Sequence, residues 1–282
     1  MAVQRIEFHG QPAAELVLPT GDRVVASLHG AQLLSWRTAD GTERLYLSPQ
    51  AIFDGQAAIR GGVPVCFPQF NQRGPLPKHG FVRNLPWRIA PEAGDGATLV
   101  LTLSDDESTR RLWPVQFEAR LQVVLAPGRL RVALVARNTG DAPWSFTAAL
   151  HTYLHVDDAT EVRLEGLQGR PRWDAVRDER FVESAPALRF GEEFDSVFTA
   201  APGAGLTLVQ PAGRLALTQS DSCTETVVWN PGPALSQRLA DMPDDGWRHM
   251  LCVEAASIDA PVSLAPGDRW EGWQELQVLP TA

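Results

Sequence analysis

The sequence predicts an all-β protein, a large antiparallel β-sandwich with a few short helices, built as one domain over residues 1–282. Three features point to it. Short runs alternate apolar and polar residues with period two, proline–glycine turn words separate them, and long runs of helical period are scarce. The strands come in order: "DRVVASLH" (22–29), "ATLVLTLS" (97–104), "FEARLQVVLA" (117–126) and "RLRVALVARN" (129–138). The last two flank Ala126-Pro127-Gly128, which predicts a hairpin. Ala-Pro-Gly recurs at 201–203 and 265–267, beside the alternating runs "LTLVQ" and "RWEGWQELQVL". Helix is predicted at two places, "DESTRRLWP" (106–114) and "ALSQRLADM" (234–242). No linker or composition break divides the chain.

Composition narrows the function. A chain of 282 residues with 44% hydrophobic side chains can bury one large core. The net charge of -9 leaves a nucleic-acid-wrapping role without its electrostatic basis. No apolar run is long enough to span a bilayer, so no membrane partner is expected. "MAVQRIEFHG" lacks a basic segment leading into an apolar one. The three cysteines, Cys66, Cys223 and Cys252, lie in apolar contexts without a CxxC pair, as reduced thiols of a cytoplasmic protein do.

The segment 58–87, "AIRGGVPVCFPQFNQRGPLPKHGFVRNLPW", combines glycines, prolines, a histidine and four cations around a short apolar run. Arg73 and Lys78 are explained by a solvated loop. Arg60 and Arg83, brought to one cavity mouth, would suit a phosphate. His79 precedes Gly80, where a backbone can approach a ligand closely. His151, in "WSFTAALHTYLHV", falls on a strand face shared with Thr147 and Ala149, small residues that leave room for a ligand. Its other reading is a buried histidine bonded to a backbone carbonyl. His155 would share that face if the strand continued, but no third ligand cluster accompanies the two, so no metal is expected. Glu254 lies inside the apolar run of "RHMLCVEAASI". It is either half of a buried salt bridge or a general base facing a cavity, with its pKa raised by desolvation.

Taken together, "IRGGVPVCFPQF", "PKHGFVRNLPW", "LHTYLHV", "EEFDSVF", "VVWNP" and "MPDDGWRHMLCVEAA" resemble the aldose 1-epimerase superfamily in order and spacing. Within it they are most similar to the glucose-6-phosphate 1-epimerase, or hexose-6-phosphate mutarotase, branch. The resemblance runs from about Leu28 through the last strand. It implies a β-supersandwich fold (galactose mutarotase-like) and interconversion of the anomers of a hexose 6-phosphate. By the same resemblance His151 and Glu254 are catalytic, and Arg60, Arg83, His79 and Asp195 bind substrate. Lys78 stands at a position that also touches ligand in relatives, often as glutamine. It is counted among the substrate-binding residues, and its added cation would favour a phosphate, as the resemblance implies for Arg60 and Arg83. No cofactor is implied, the partner is a small-molecule sugar phosphate, and a monomer is expected. Three alternatives remain: a mutarotase of free sugars, which would not need the two arginines; a non-catalytic sugar-binding module; and a glycosidase, which would ordinarily need a second opposed carboxylate.

Overall fold

A computed structural model of the chain describes residues 3–90 and 97–280. Among these residues the strands form sheets of four, eight and nine strands. The long ladders are all antiparallel. The four-stranded sheet comes from the N-terminal meander Gln4–Phe8, Gln11–Val17, Arg23–Ser27 and Leu33–Arg37. The expected hairpin closes as Phe117–Ala126 on Arg129–Asn138. Ala126 pairs with Arg129, which leaves Pro127 and Gly128 as a two-residue turn. Gly128 takes a positive φ of 63° there, a conformation free of cost only to glycine.

The eight-stranded sheet positions the polar residues of interest. Its order is Glu179–Val182, Pro171–Asp174, Phe194–Thr199, Glu225–Asn230, Met250–Leu264, Trp144–Leu150 and Val65–Cys66, with Tyr153–His155 also paired to Met250–Leu264. Leu251 and Val253 point into the core shared with the nine-stranded sheet, among Leu121, Leu134 and Phe117. Cys252, Glu254 and Ala256 alternate onto the opposite face. That face is also covered, so residues 250–258 are buried throughout and their sequence is an almost unbroken apolar run. Each buried Leu or Val there stabilises the fold by about 1.5–3 kcal/mol.

Helix is sparse, as expected. Glu107–Leu112 starts at a capping box in which Asp106 accepts from the Thr109 N–H and the Thr109 hydroxyl accepts from the Asp106 N–H. The second helix is shorter than the sequence predicts, covering Gly232–Ser236 alone. Beyond it the bonds become i→i−3, Arg238 to Leu235 and Leu239 to Ser236. The Ser236 hydroxyl then donates to the Pro243 carbonyl and turns the chain away. Among the described residues no helix is long and apolar enough to cross a membrane.

Candidate active site

Sheet register alone brings the central pair together. Trp144–Leu150 pairs with Met250–Leu264 up to Leu150↔Ala255, and pairing resumes in the same register at Tyr153↔Cys252. His151 therefore stands opposite Glu254. Between them the chain leaves regular strand geometry, because the His151 N–H donates to Pro64 and the Tyr153 N–H to Gly62, at 3.0 and 2.8 Å. The next strands extend two rows across the sheet. Glu254 lies in a row with Val227, Val197 and Trp173, and the neighbouring row runs Tyr153, Cys252, Trp229, Asp195.

The loop around 58–87 covers this face, and its glycines explain how. Gly62 has φ 62°, and a Cβ there would sit 1.8 Å from the Leu33 carbonyl oxygen. Gly80 has φ 72° and would meet the Phe67 carbonyl oxygen at 2.0 Å. Close approach is indeed the reason for Gly80, but the partner is the protein's own backbone and not the ligand that the sequence suggested. The first contact presses the loop against the Leu33–Arg37 strand of the four-stranded sheet and the second folds the loop onto itself, while its Gly62 and Pro64 carbonyls fix the 151–153 segment of the eight-stranded sheet.

Between loop and sheet lies a cavity of about 270 Å³. Arg60, Lys78, His79, His151, Asp195 and Glu254 all line it. Arg83, the remaining predicted binder, does not. Its Nη2 donates to the Lys78 carbonyl at 3.0 Å, so it supports the loop from behind while its charge still reaches His79 and His151. Arg73, which the sequence left to a solvated loop, does line the cavity, as do Trp173 and Trp229. Trp229 lies in "VVWNP", one of the segments that carry the family resemblance, whereas Trp173 sits on a four-residue strand with no such signal.

His151 Nε2 lies 3.3 Å from Glu254 Oε1. Glu254 is 1% exposed, and its Oε2 has no hydrogen-bond partner among the described residues. Burial first, then the neighbouring Asp195 charge, pushes this carboxyl well above the usual range. Burial also drives His151 well below the usual imidazole value, helped by His79, Arg83 and Arg60. Both shifts act in the same direction, favouring a carboxylic acid beside a neutral imidazole over an ion pair. The one available proton sits between two atoms that can exchange it. The His151 ring stacks on Tyr153, with centroids 5.0 Å apart and planes inclined by 13°, and meets Trp229 edge-on. Its backbone-carbonyl reading fails, since Nδ1 has no partner among the described residues.

The surrounding groups are set by the same forces. His79 Nδ1 accepts from the Asn71 N–H at 3.3 Å, so a neutral ring carries its proton on Nε2. Burial, with Arg83, Lys78 and Arg60 nearby, lowers its pKa to about 3. Burial and Glu193 raise Asp195 to about 6. Arg60 is held by Asp241 at 3.1 Å and donates to the Tyr153 hydroxyl, also at 3.1 Å.

A third potential metal ligand does exist. His151, Cys252 and Glu254 offer ligand atoms within 4.8 Å of one another. Spacing in sequence hid Cys252, which reaches the group by alternating onto the same strand face as Glu254. The set suits a cation poorly: burial and Glu254 push the Cys252 thiol well above its ordinary value, and the Arg60 and Arg83 charges reach His151. His155, the other imagined ligand, lines a different groove with Glu43 and Leu45.

Comparison with known proteins places the chain in a family. The family described as "Aldose 1-epimerase" matches residues 15–277. A protein of Cenchrus ciliaris named "Putative glucose-6-phosphate 1-epimerase" is 37% identical over 90% of this chain and 81% of its own length. One of the same name from Escherichia coli (strain K12) is 36% identical over 86% of this chain and 83% of its own. A crystal structure of a "putative mutarotase" from Salmonella typhimurium superposes with a TM-score of 0.88 at 30% identity, covering 98% of this chain and 93% of that one.

Proposed function

The chain belongs to the aldose 1-epimerase family and is an isomerase, and we propose that it interconverts the α and β anomers of a hexose 6-phosphate, glucose 6-phosphate first among them. The observation that carries this reading is the His151–Glu254 contact of 3.3 Å on the wall of a cavity lined by cations. Residues 1–282 are taken as one catalytic domain.

Anomers interconvert through the open-chain aldehyde. Glu254 removes the proton of the C1 hydroxyl, His151 protonates the ring oxygen, and the bond between C1 and that oxygen breaks. After rotation about C1–C2, the C5 hydroxyl attacks the other carbonyl face and the two residues exchange roles. The pair must enter this cycle as carboxylate and imidazolium. One proton passing from Glu254 to His151 produces that form from the neutral pair, so the site already holds the required number of protons. Polar contacts from the bound sugar replace solvation that burial removed, and thereby favour the charged form. Asp195, ionised above about pH 6, accepts sugar hydroxyls. His79 donates from Nε2, and Trp229 offers an aromatic wall to the C–H face of the ring.

Polarimetry on fresh α-anomers of glucose, galactose and glucose 6-phosphate tests the proposal. The expected order places kcat/KM highest for the phosphorylated sugar. No acceleration above the spontaneous rate would exclude catalysis, and equal efficiency on free and phosphorylated glucose would leave a free-sugar mutarotase.

A further inference from the structure

Three cations line the cavity, and they are not equivalent. Arg60 lies at the acid–base end. Its Nε and Nη2 contact Asp241 at 3.2 and 3.1 Å, and Nη1 is given to Tyr153, so both its charge and its fork are already engaged. Lys78 and Arg73 lie at the Asp195 end, where the charges of both act on that carboxyl. Lys78 has no ion-pair partner among the described residues, and its backbone is fixed. Arg83 holds its carbonyl, Asn71 accepts the His79 N–H, and Pro77 accepts the Gly80 N–H. Arg73 uses a single nitrogen, Nη1, for both Asp259 Oδ1 and the Ile258 carbonyl, at 3.0 and 3.2 Å. Its Nε and Nη2 have no partner among the described residues, and its guanidinium lies 5.1 Å from the centre of the Trp173 ring.

We propose that Lys78 and Arg73 form the anion subsite of this cavity and take the phosphoryl group of the substrate at the rim beside Trp173, while Arg60 serves the acid–base end. This rests on the sugar-phosphate reading above for the substrate, but the subsite itself is defined by charge and geometry. A phosphomonoester dianion needs N–H donors that are still free: Arg60 has given Nε, Nη1 and Nη2 to partners, whereas Arg73, although ion-paired with Asp259, is engaged through Nη1 alone. Lys78 supplies a point charge, and the free edge of Arg73 supplies two N–H groups in one plane. Arg83 contributes indirectly by holding the turn that carries Lys78. The reacting centre and the recognised group then sit at opposite ends of the cavity, so binding energy from a remote, unreacting group can position the ring over His151 and Glu254.

The test uses inorganic phosphate as a competitive inhibitor of free-glucose anomerisation, in wild type and in Lys78→Gln, Arg73→Gln, Arg60→Gln and Arg83→Gln, each first checked for an unaltered circular dichroism spectrum. Phosphate should inhibit the wild type. Its inhibition constant should rise about 10-fold or more in the Lys78 and Arg73 variants, the scale of one charge-assisted hydrogen bond. The preference for glucose 6-phosphate over glucose should fall by the same factor. Failure of phosphate to inhibit the wild type would overturn the subsite. So would inhibition that persists in the Lys78 and Arg73 variants but disappears with Arg60 or Arg83. Phosphate inhibition that depends on Lys78 and Arg73, with no preference for glucose 6-phosphate, would uphold the subsite and refute the substrate reading.

Discussion

The floor and the rim of the cavity are built from similar charged residues and behave differently because the acid–base pair at the floor is more deeply buried than the ion pair at the rim, His151 and Glu254 being 12% and 1% exposed. On the floor, burial pushes the Glu254 carboxyl well above the usual range and the His151 imidazole well below it. At the rim, the Arg73 and Asp259 side chains are 29% and 46% exposed and pair as ions. Burial turns titratable groups into neutral acid and base ready to exchange a proton, whereas exposure keeps full charges available for recognition. On the proposed assignment, catalysis at the floor and recognition at the rim divide along this difference in burial.

Substitutions at the floor should break the chemistry itself. Glu254→Gln and His151→Asn are each expected to lower anomerisation turnover by about 100-fold or more, the reach of positioned acid–base catalysis. Near-normal turnover in either folded variant would remove that residue from the mechanism. Arg60→Met should have the next largest effect, about 10- to 100-fold on kcat/KM for phosphorylated and free glucose alike, since it leaves Asp241 and Tyr153 without their partner. A loss confined to the phosphorylated sugar would move Arg60 from the floor to the rim.

Asp195 lies between the two regions, and its response is a matter of pH. Its folded pKa of about 6 exceeds the ordinary 3.8, so the fold favours the protonated acid. The resulting stability is fully present below 3.8 and is lost as pH rises through about 6. Asp195→Asn should therefore raise the melting temperature relative to wild type at pH 8 by a few degrees, with a much smaller difference at pH 4, while weakening sugar binding. Equal differences at both pH values would show that the carboxyl is not strained by its surroundings. The smallest effect is expected from exhaustive chelation, which should leave the rate unchanged because cations crowd the one candidate ligand set among the described residues. Loss of activity restored by a single divalent ion would contradict that.

Much of the architecture was legible in the sequence because alternation reports burial directly. The 117–126 and 129–138 strands and their turn needed nothing else. The second helix was overread, since its apolar spacing continues past Ser236 while the side chain of Ser236 itself ends the helix by bonding to Pro243. Glu254 was conspicuous as a carboxylate in an apolar run, but its partnership with His151 rests on a strand register that local pattern does not encode. Only the resemblance to a family joined them beforehand. Arg73 and Arg83 show the opposite limit. Both lie in one glycine- and proline-rich stretch of sequence, yet Arg73 is held toward the cavity by Asp259 and the Ile258 carbonyl, while Arg83 sits in the short 3-10 helix Val82–Asn84 and bonds back to the Lys78 carbonyl.

In the proposed mechanism, His151 and Glu254 open and close a sugar ring without touching its carbon-bound protons. Exchange spectroscopy of the anomeric proton of glucose 6-phosphate in D2O probes both halves of that statement at once. Enzyme-accelerated exchange between the α and β H1 signals is expected, abolished by Glu254→Gln, with the C1 and C2 protons fully retained. Deuterium appearing at C2 would show enolisation instead of ring opening, and exchange no faster than in buffer would show that the pair does not catalyse anomerisation.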